Sequence, residues 1–293
     1  MADATFSYPH EAYPDIFKES LSYSEASTGF TAGLLEKDYY CSLLLSVFFS
    51  QKTSLVFKGG TCLAKIYSDF YRLSEDLDLI IPVAVDAPRN RRRFLIDPIK
   101  DVLDEISQII PGIDVSIPFS GHNESRQYIG QIEYQSAVMD KQEGIKIEIG
   151  IREPLIIPSI KVEARTIAIN PFTNRALFPA FKVQAMDIKE AYAEKVRAAL
   201  TRRNPAIRDL FDLFYAVENL KMDFEADDFL ALVSQKLEVP GNTLVDISPE
   251  YRQEIERQME GQLRPVLRPA DFNGFDIDKA FEILMRITRA LSL

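Results

Sequence analysis

The sequence predicts an α+β fold, a β-sheet core with flanking helices followed by a helical C-terminal half. Three observations lead there. A strand, a glycine pair, a helix and a second strand succeed one another between residues 54 and 81. Three further segments, 112–118, 126–134 and 144–151, carry the alternating or mixed apolar pattern of strands. From residue 187 onward the apolar period changes to the 3.6 of a helix.

The elements follow in order. Residues 34–51, LLEKDYYCSLLLSVFFSQ, have helical apolar spacing, and SLVFK (54–58) is rich in strand formers. Gly59-Gly60 is the only adjacent glycine pair in the chain. Thr61 is placed to cap a helix over TCLAKIYSDFY, and LDLII (77–81) is an apolar strand stopped by Pro82. Residues 90–110 read as one helix. Pro154, Pro158, Pro171 and Pro179 break the stretch 153–183 into edge strands and a connecting segment. Helices are expected over 187–203 and, after Pro205, over 206–220, with at least three more up to Leu293. The expected division is a core of residues 1–183 with an N-terminal helical extension, and a helical domain of residues 184–293 that contributes to the active site.

Composition narrows the function. The chain has 293 residues with 44 acidic and 34 basic side chains, a net charge of -10, which excludes coating nucleic acid through bulk positive charge. Residues 39–220 are nonetheless balanced, with 23 acids and 23 bases. No apolar run is long enough to span a bilayer, and MADATFSYPHEAYPDIF lacks the basic-then-apolar order of a secretion signal, so a cytoplasmic, non-membrane protein is expected. Cys41 and Cys62 are the only cysteines, and His10 and His122 the only histidines. Chemistry is therefore expected from carboxylates, lysines and hydroxyls.

The segment 57–81, FKGGTCLAKIYSDFYRLSEDLDLII, concentrates those groups. On a strand Asp76 and Asp78 project to one face, about 7 Å apart at their α-carbons, with Leu77 and Leu79 toward the core. Converging carboxylates repel, and a hard divalent cation, Mg²⁺ or Mn²⁺, relieves that repulsion. A glycine pair between strand and helix lets the backbone approach a triphosphate, with Thr61 and the free helix amides as donors. Singly, Gly-Gly is commonly a turn and Asp-x-Asp commonly solvated surface. Their order, glycine pair, helix, then Asp-x-Asp opening an apolar strand, favours a phosphate-transfer site.

This order resembles the signature of the polymerase-β-like nucleotidyltransferase superfamily. The fuller string, Lys58-Gly59-Gly60-Thr61 with Leu63 and Lys65, then Arg72, Ser74, Glu75, Asp76 and Asp78, is similar to the AbiEii/AbiGii toxin family within it. The resemblance extends to Glu36-Lys37-Asp38-Tyr39 and to the helical pair at 187–215. It implies a mixed sheet, an NTP substrate and Mg²⁺ or Mn²⁺ held by Asp76 and Asp78. Lys58, Gly59, Gly60, Thr61, Lys65, Arg72 and Ser74 would bind the nucleotide.

Spacing alone reads Lys195 as a snorkelling or ion-paired surface lysine. The resemblance assigns it to triphosphate binding, with Asp209 in the active site and Asp212 the weaker candidate. Glu148, sharing a strand face with Lys146, matches a third carboxylate that family members often carry as aspartate, and a cross-strand salt bridge is the competing account. Arg89, Arg91, Arg92 and Arg93 open the 90–110 helix, where cations are mildly unfavourable with the macrodipole, so they are either a solvated face or a site for an anion such as RNA.

The expected activity is metal-dependent transfer of a nucleoside monophosphate from an NTP to an acceptor. By resemblance the acceptor is the 3′ end of RNA such as tRNA, and the protein is the toxin of a toxin–antitoxin or phage-defence system with a cognate antitoxin as partner. The alternatives are a binding protein of the same fold that acts through its antitoxin without turnover, or transfer to a small molecule or a protein hydroxyl.

Overall fold

The computed structural model describes residues 7–51, 53–242 and 245–292. The first six residues of the N-terminal segment, Lys52, residues 243–244 and Leu293 lie outside them. The chain divides into two compact units. One reaches to Pro154 and takes in Ser159–Ala185, and the other comprises Leu155–Pro158 and everything from Met186 onward.

The first unit opens with α1 (Pro9–Ala12), α2 (Pro14–Thr28) and α3 (Ala32–Ser50). α3 begins where the Thr31 hydroxyl accepts from the Leu34 amide at 3.4 Å, and it is buried over most of its length. β1 (Val56–Lys58) leads directly into α4 (Gly59–Cys62), which continues as a π-helical turn over Leu63–Tyr67. The helix thus opens at Gly59 and ends at Tyr67, rather than running from a Thr61 cap to residue 71. Asp69 and Phe70 follow with positive φ (44° and 56°), which no helix accommodates. β2 spans Leu77–Ile80.

α5 (Arg89–Asp104) and α6 (Ile106–Ile109) divide the single helix expected over 90–110. β3 (Ile113–His122), β4 (Gln127–Gln135) and β5 (Gln142–Gly150) form an antiparallel meander, followed by β6 (Ile160–Ala164), β7 (Ile169–Asn170), β8 (Arg175–Ala176) and β9 (Phe181–Ala185). Seven strands join one mixed sheet in the order β3-β4-β5-β2-β1-β9-β6, while β7 and β8 pair separately. β9 lies inside that sheet, parallel to β1, so the proline-rich stretch contributes an interior strand as well as the edge strand β6. Ile145, Ile147 and Ile149 on β5 and Leu77 and Leu79 on β2 are fully buried, which leaves the alternate residues on the other face.

The second unit is helical: α7 (Ile188–Thr201), α8 (Ile207–Glu218), α9 (Asp227–Leu237), α10 (Pro249–Arg257), α11 (Pro269–Gly274) and α12 (Ile277–Ala290). Asp187, Ser248 and Asp276 cap α7, α10 and α12 through side-chain oxygens. The start of α8 is held from outside, since Gln258 accepts from the Ile207 amide at 2.9 Å and donates to the Pro205 carbonyl at 2.9 Å.

Candidate active site

At one end of the sheet, backbone register sets the key residues in a row. Lys58 on β1 is opposite Asp78 on β2, and Asp78 is beside Glu148 on β5. All three are half-buried. Asp76 lies one residue ahead of β2, so it shares the site with Asp78 without sharing its strand. Its backbone is fixed by Thr61, whose buried hydroxyl donates to the Asp76 carbonyl at 2.6 Å. Thr61 therefore shapes the acidic turn, and in this arrangement its proton is committed there rather than to a phosphate.

The glycine pair has a steric reason. Gly59 has φ of +76°, and a β-carbon there would run into the Asp78 carboxylate. A β-carbon at Gly60 would run into the guanidinium of Arg72. Arg72 is itself buried, donates to the Leu73 carbonyl at 3.2 Å and lies over the Tyr71 ring. The glycines thus bring helix backbone against one anion and one cation of the site, while Ser74 sits half-buried in the loop leading to Asp76.

Lys146 and Gln127 complete the picture. Lys146 Nζ donates to Glu148 at 2.9 Å, and Gln127, reaching across from β4, donates to the same carboxylate at 2.6 Å. Burial works against the charged form of Glu148, but the Lys146 bond and charge, helped by Gln127 and Lys58, hold its carboxyl below the usual range. Burial likewise disfavours charged Lys146, and the Glu148 bond together with the fields of Glu148, Asp76 and Asp78 raises its pKa above the ordinary value. Both competing accounts of Glu148 thus meet in the structure: it stands beside Asp78 and is also salt-bridged, to a lysine on its own strand. The sequence alternation put Lys146 and Glu148 on one face, but Gln127 enters only through the β4–β5 pairing, which no local pattern signals.

Lys65 departs from expectation. It is buried, and its ammonium is enclosed by Asp38 Oδ1 at 2.5 Å, the Ser42 hydroxyl at 2.8 Å and the Arg165 carbonyl at 3.3 Å. Asp38 in turn accepts from the Thr166 hydroxyl at 2.8 Å and the Ile167 amide at 3.2 Å. This lysine ties α3 to the π turn and to the segment after β6, and it is not placed to offset phosphate charge. Of the arginine run, Arg89, Arg91 and Arg93 are exposed, whereas Arg92 is buried and donates to the Ala87 carbonyl and, at 3.1 Å, to the Glu124 carbonyl. Arg91 lies over the exposed ring of Phe94.

In the helical unit Lys195 bridges two carboxylates, Asp209 at 2.8 Å and Asp212 at 2.9 Å, and Arg202 approaches the second oxygen of Asp209 at 3.1 Å. Asp212 is fully buried, so the spacing-based account of a snorkelling surface lysine fails. Beside it is a second buried set that sequence reasoning did not single out. Lys236 is within 2.6 Å of Glu190 and 3.2 Å of Glu194, and Glu190 also accepts from the amides of Ile156 and Ile157.

A divalent cation was expected at Asp76 and Asp78. Among the described residues no group of three or more His, Cys, Asp or Glu side chains is disposed as a metal site. Mg²⁺ characteristically keeps water and substrate oxygens and takes only one or two protein carboxylates. The half-buried Asp76 and Asp78, whose negative field reaches Lys146, suit such a cation, while Glu148 is already engaged by Lys146 and Gln127.

A mixed sheet with a glycine-started helix after β1 and an acidic β2 defines the nucleotidyltransferase class of fold. A candidate nucleotidyltransferase structure from Helicobacter pylori shares it, matching 89% of this chain and 95% of its own at 16% identity with a TM-score of 0.50. A second structure, JHP933 from Helicobacter pylori, matches 90% of this chain and 94% of its own at 16% identity with a TM-score of 0.49. The chain belongs to the AbiEii nucleotidyl transferase toxin family of type IV toxin–antitoxin systems, whose family model matches residues 42–285. No curated protein matches it in sequence.

Proposed function

We propose that the protein transfers a nucleoside monophosphate from an NTP to the 3′ end of an RNA such as tRNA, with Mg²⁺ or Mn²⁺, as the toxin of its system. The observation that carries the chemistry is the close approach of Gly59 to the Asp78 carboxylate beside an Asp76 whose backbone Thr61 holds. The two aspartates would hold the cation, which when bound supplies charge neutralisation at the α-phosphoryl group. Lys58 and the amides opening α4 would orient the phosphates, and Glu148 keeps Lys146 at the rim as a fixed positive charge. Lys195, anchored by Asp209 and Asp212, is the residue of the helical unit assigned to triphosphate binding. An RNA acceptor is supported by the family's toxin role and by the exposed Arg89, Arg91 and Arg93. A cognate antitoxin is the partner that the type IV classification suggests.

The test uses purified protein, each labelled NTP and total RNA. Label should enter RNA with Mg²⁺, cease on chelation and return on adding the metal back. Asp76→Ala with Asp78→Ala should abolish transfer and leave the melting temperature nearly unchanged. Retained transfer in that variant removes the site assignment, and label appearing only in a small molecule or in protein removes the RNA acceptor.

A further inference from the structure

We propose that a second ligand site, for a nucleoside monophosphate, lies in the first unit at the opposite end of the sheet from Asp76 and Asp78. A cavity of about 620 Å³ opens there. Its walls come from the end of α3, the residues entering β1, Pro82 just beyond β2, and the paired strands β6 and β9. In the β1–β2 register Lys58 faces Asp78 while Val56 faces Ile80, so the two sites sit at opposite ends of the same strands. From Asp78 to Pro82 the chain runs about 13 Å at strand rise.

The chemistry of the lining is specific. Lys161 and Lys182 both line the cavity, no carboxylate does, and neither lysine takes part in an ion pair among the described residues. On a chain of net charge -10 that is a local reversal of sign. The β6–β9 register sets Lys161 opposite Gln184 and Glu163 opposite Lys182, so both lysines project from one face of the pair; Glu163 shares that face but is exposed and is not part of the lining. Unpaired ammonium groups beside hydroxyls are the point charges that phosphate oxygens accept. Gln184 Nε2 donates to Ser159 Oγ at 2.9 Å, so the hydroxyl proton of Ser159 is left to donate elsewhere. Ser54 and Thr53 add two more hydroxyls.

The remaining wall is apolar, formed by the half-buried Phe49 and Pro82, with Leu55, Val56 and Val183 already buried behind the lining. A bare inorganic anion would leave Phe49 and Pro82 uncovered. A phosphomonoester carrying a flat, partly apolar body covers them, with the side-chain amides of Gln51 and Gln184 available to the edge of a base. The volume lies within the roughly 300–1,000 Å³ of small-molecule sites. A nucleoside monophosphate meets all of these features together.

The experiment is titration of the full chain with adenosine monophosphate in chelator, where no metal-dependent triphosphate site contributes, read by calorimetry and by backbone amide NMR. Saturable binding is expected, with shifts at Ser54, Val56 and Val183. Lys161→Gln with Lys182→Gln, both exposed positions, should weaken it by at least about tenfold at unchanged melting temperature. Asp76→Asn with Asp78→Asn should leave it unchanged, which separates this site from the catalytic one whether or not transfer activity is found. No saturation, equal affinity in the lysine variant, loss in the aspartate variant, or inorganic phosphate binding as tightly as the nucleotide would each overturn the proposal.

Discussion

Lys65 carries its charge into a fully enclosed position, where desolvation is offset by the Asp38 carboxylate, three further oxygens and the ring of Phe70. Removing one partner of such a pair leaves the other uncompensated, at a cost of about 3–5 kcal/mol. Lys65→Met is therefore expected to lower the unfolding free energy by about that much in urea titration, and a variant of normal stability that binds NTP poorly would restore the phosphate role. His10 is a second residue whose environment is decided at a distance. Its Nε2 lies 2.9 Å from the Pro111 carbonyl, which can only accept, so Nε2 carries a proton, and in the neutral ring Nδ1 accepts from the Tyr39 hydroxyl at 2.8 Å. Burial lowers its pKa. The unfolded chain then takes up the proton first on acidification, so the stability this residue contributes is full above about pH 6.5 and is lost as pH falls toward its folded value. Between pH 7 and 5 the unfolding free energy should fall more steeply in the wild type than in His10→Gln, and parallel curves would contradict the assignment.

Among the elements, the helix after the glycine pair departs most from its sequence pattern. The apolar spacing through Tyr71 continues, but the chain leaves the helix at Tyr67 and turns through the left-handed residues Asp69 and Phe70. Burial of Phe70 and Tyr71 accounts for that spacing as core packing, independent of helical structure. α5 shows the reverse, a helix that continues through an exposed Pro98. Proline there removes a backbone donor and crowds the carbonyl four residues earlier, while it reduces the entropy of the unfolded chain. Pro98→Ala should raise the unfolding free energy by about 1–2 kcal/mol, the balance of these two effects, and a lowered melting temperature would show that the proline is required by packing.

For the whole molecule, net charge is a poor guide to partners. The segment 39–220 is electrically balanced, and within it Arg89, Arg91 and Arg93 are exposed beside Phe94. If these arginines meet an RNA backbone, affinity for RNA should fall with salt. Arg89→Gln with Arg91→Gln and Arg93→Gln should then reduce the log–log salt slope by about 2, since each phosphate contact on a single strand contributes about 0.7. An unchanged slope would return the run to a solvated face. Among the described residues no helix is long and apolar enough to cross a membrane.

The order of strand, glycine pair, helix and acidic strand was legible because it is written in consecutive residues: alternation aims side chains, and glycine marks where backbone must come close. The strand character of β3 to β5, the helical character after residue 187 and the placing of Lys146 and Glu148 on one strand face were legible for the same reason. The interior place of β9, the capture of Lys65 by Asp38, the Gln127 bond to Glu148 and the clustering of Asp209 and Asp212 on Lys195 were decided by tertiary structure. Each depends on a partner whose distance in space is unrelated to its distance along the chain. A charge bound for solvent and a charge bound for a buried ion pair look alike until the opposing element is in place.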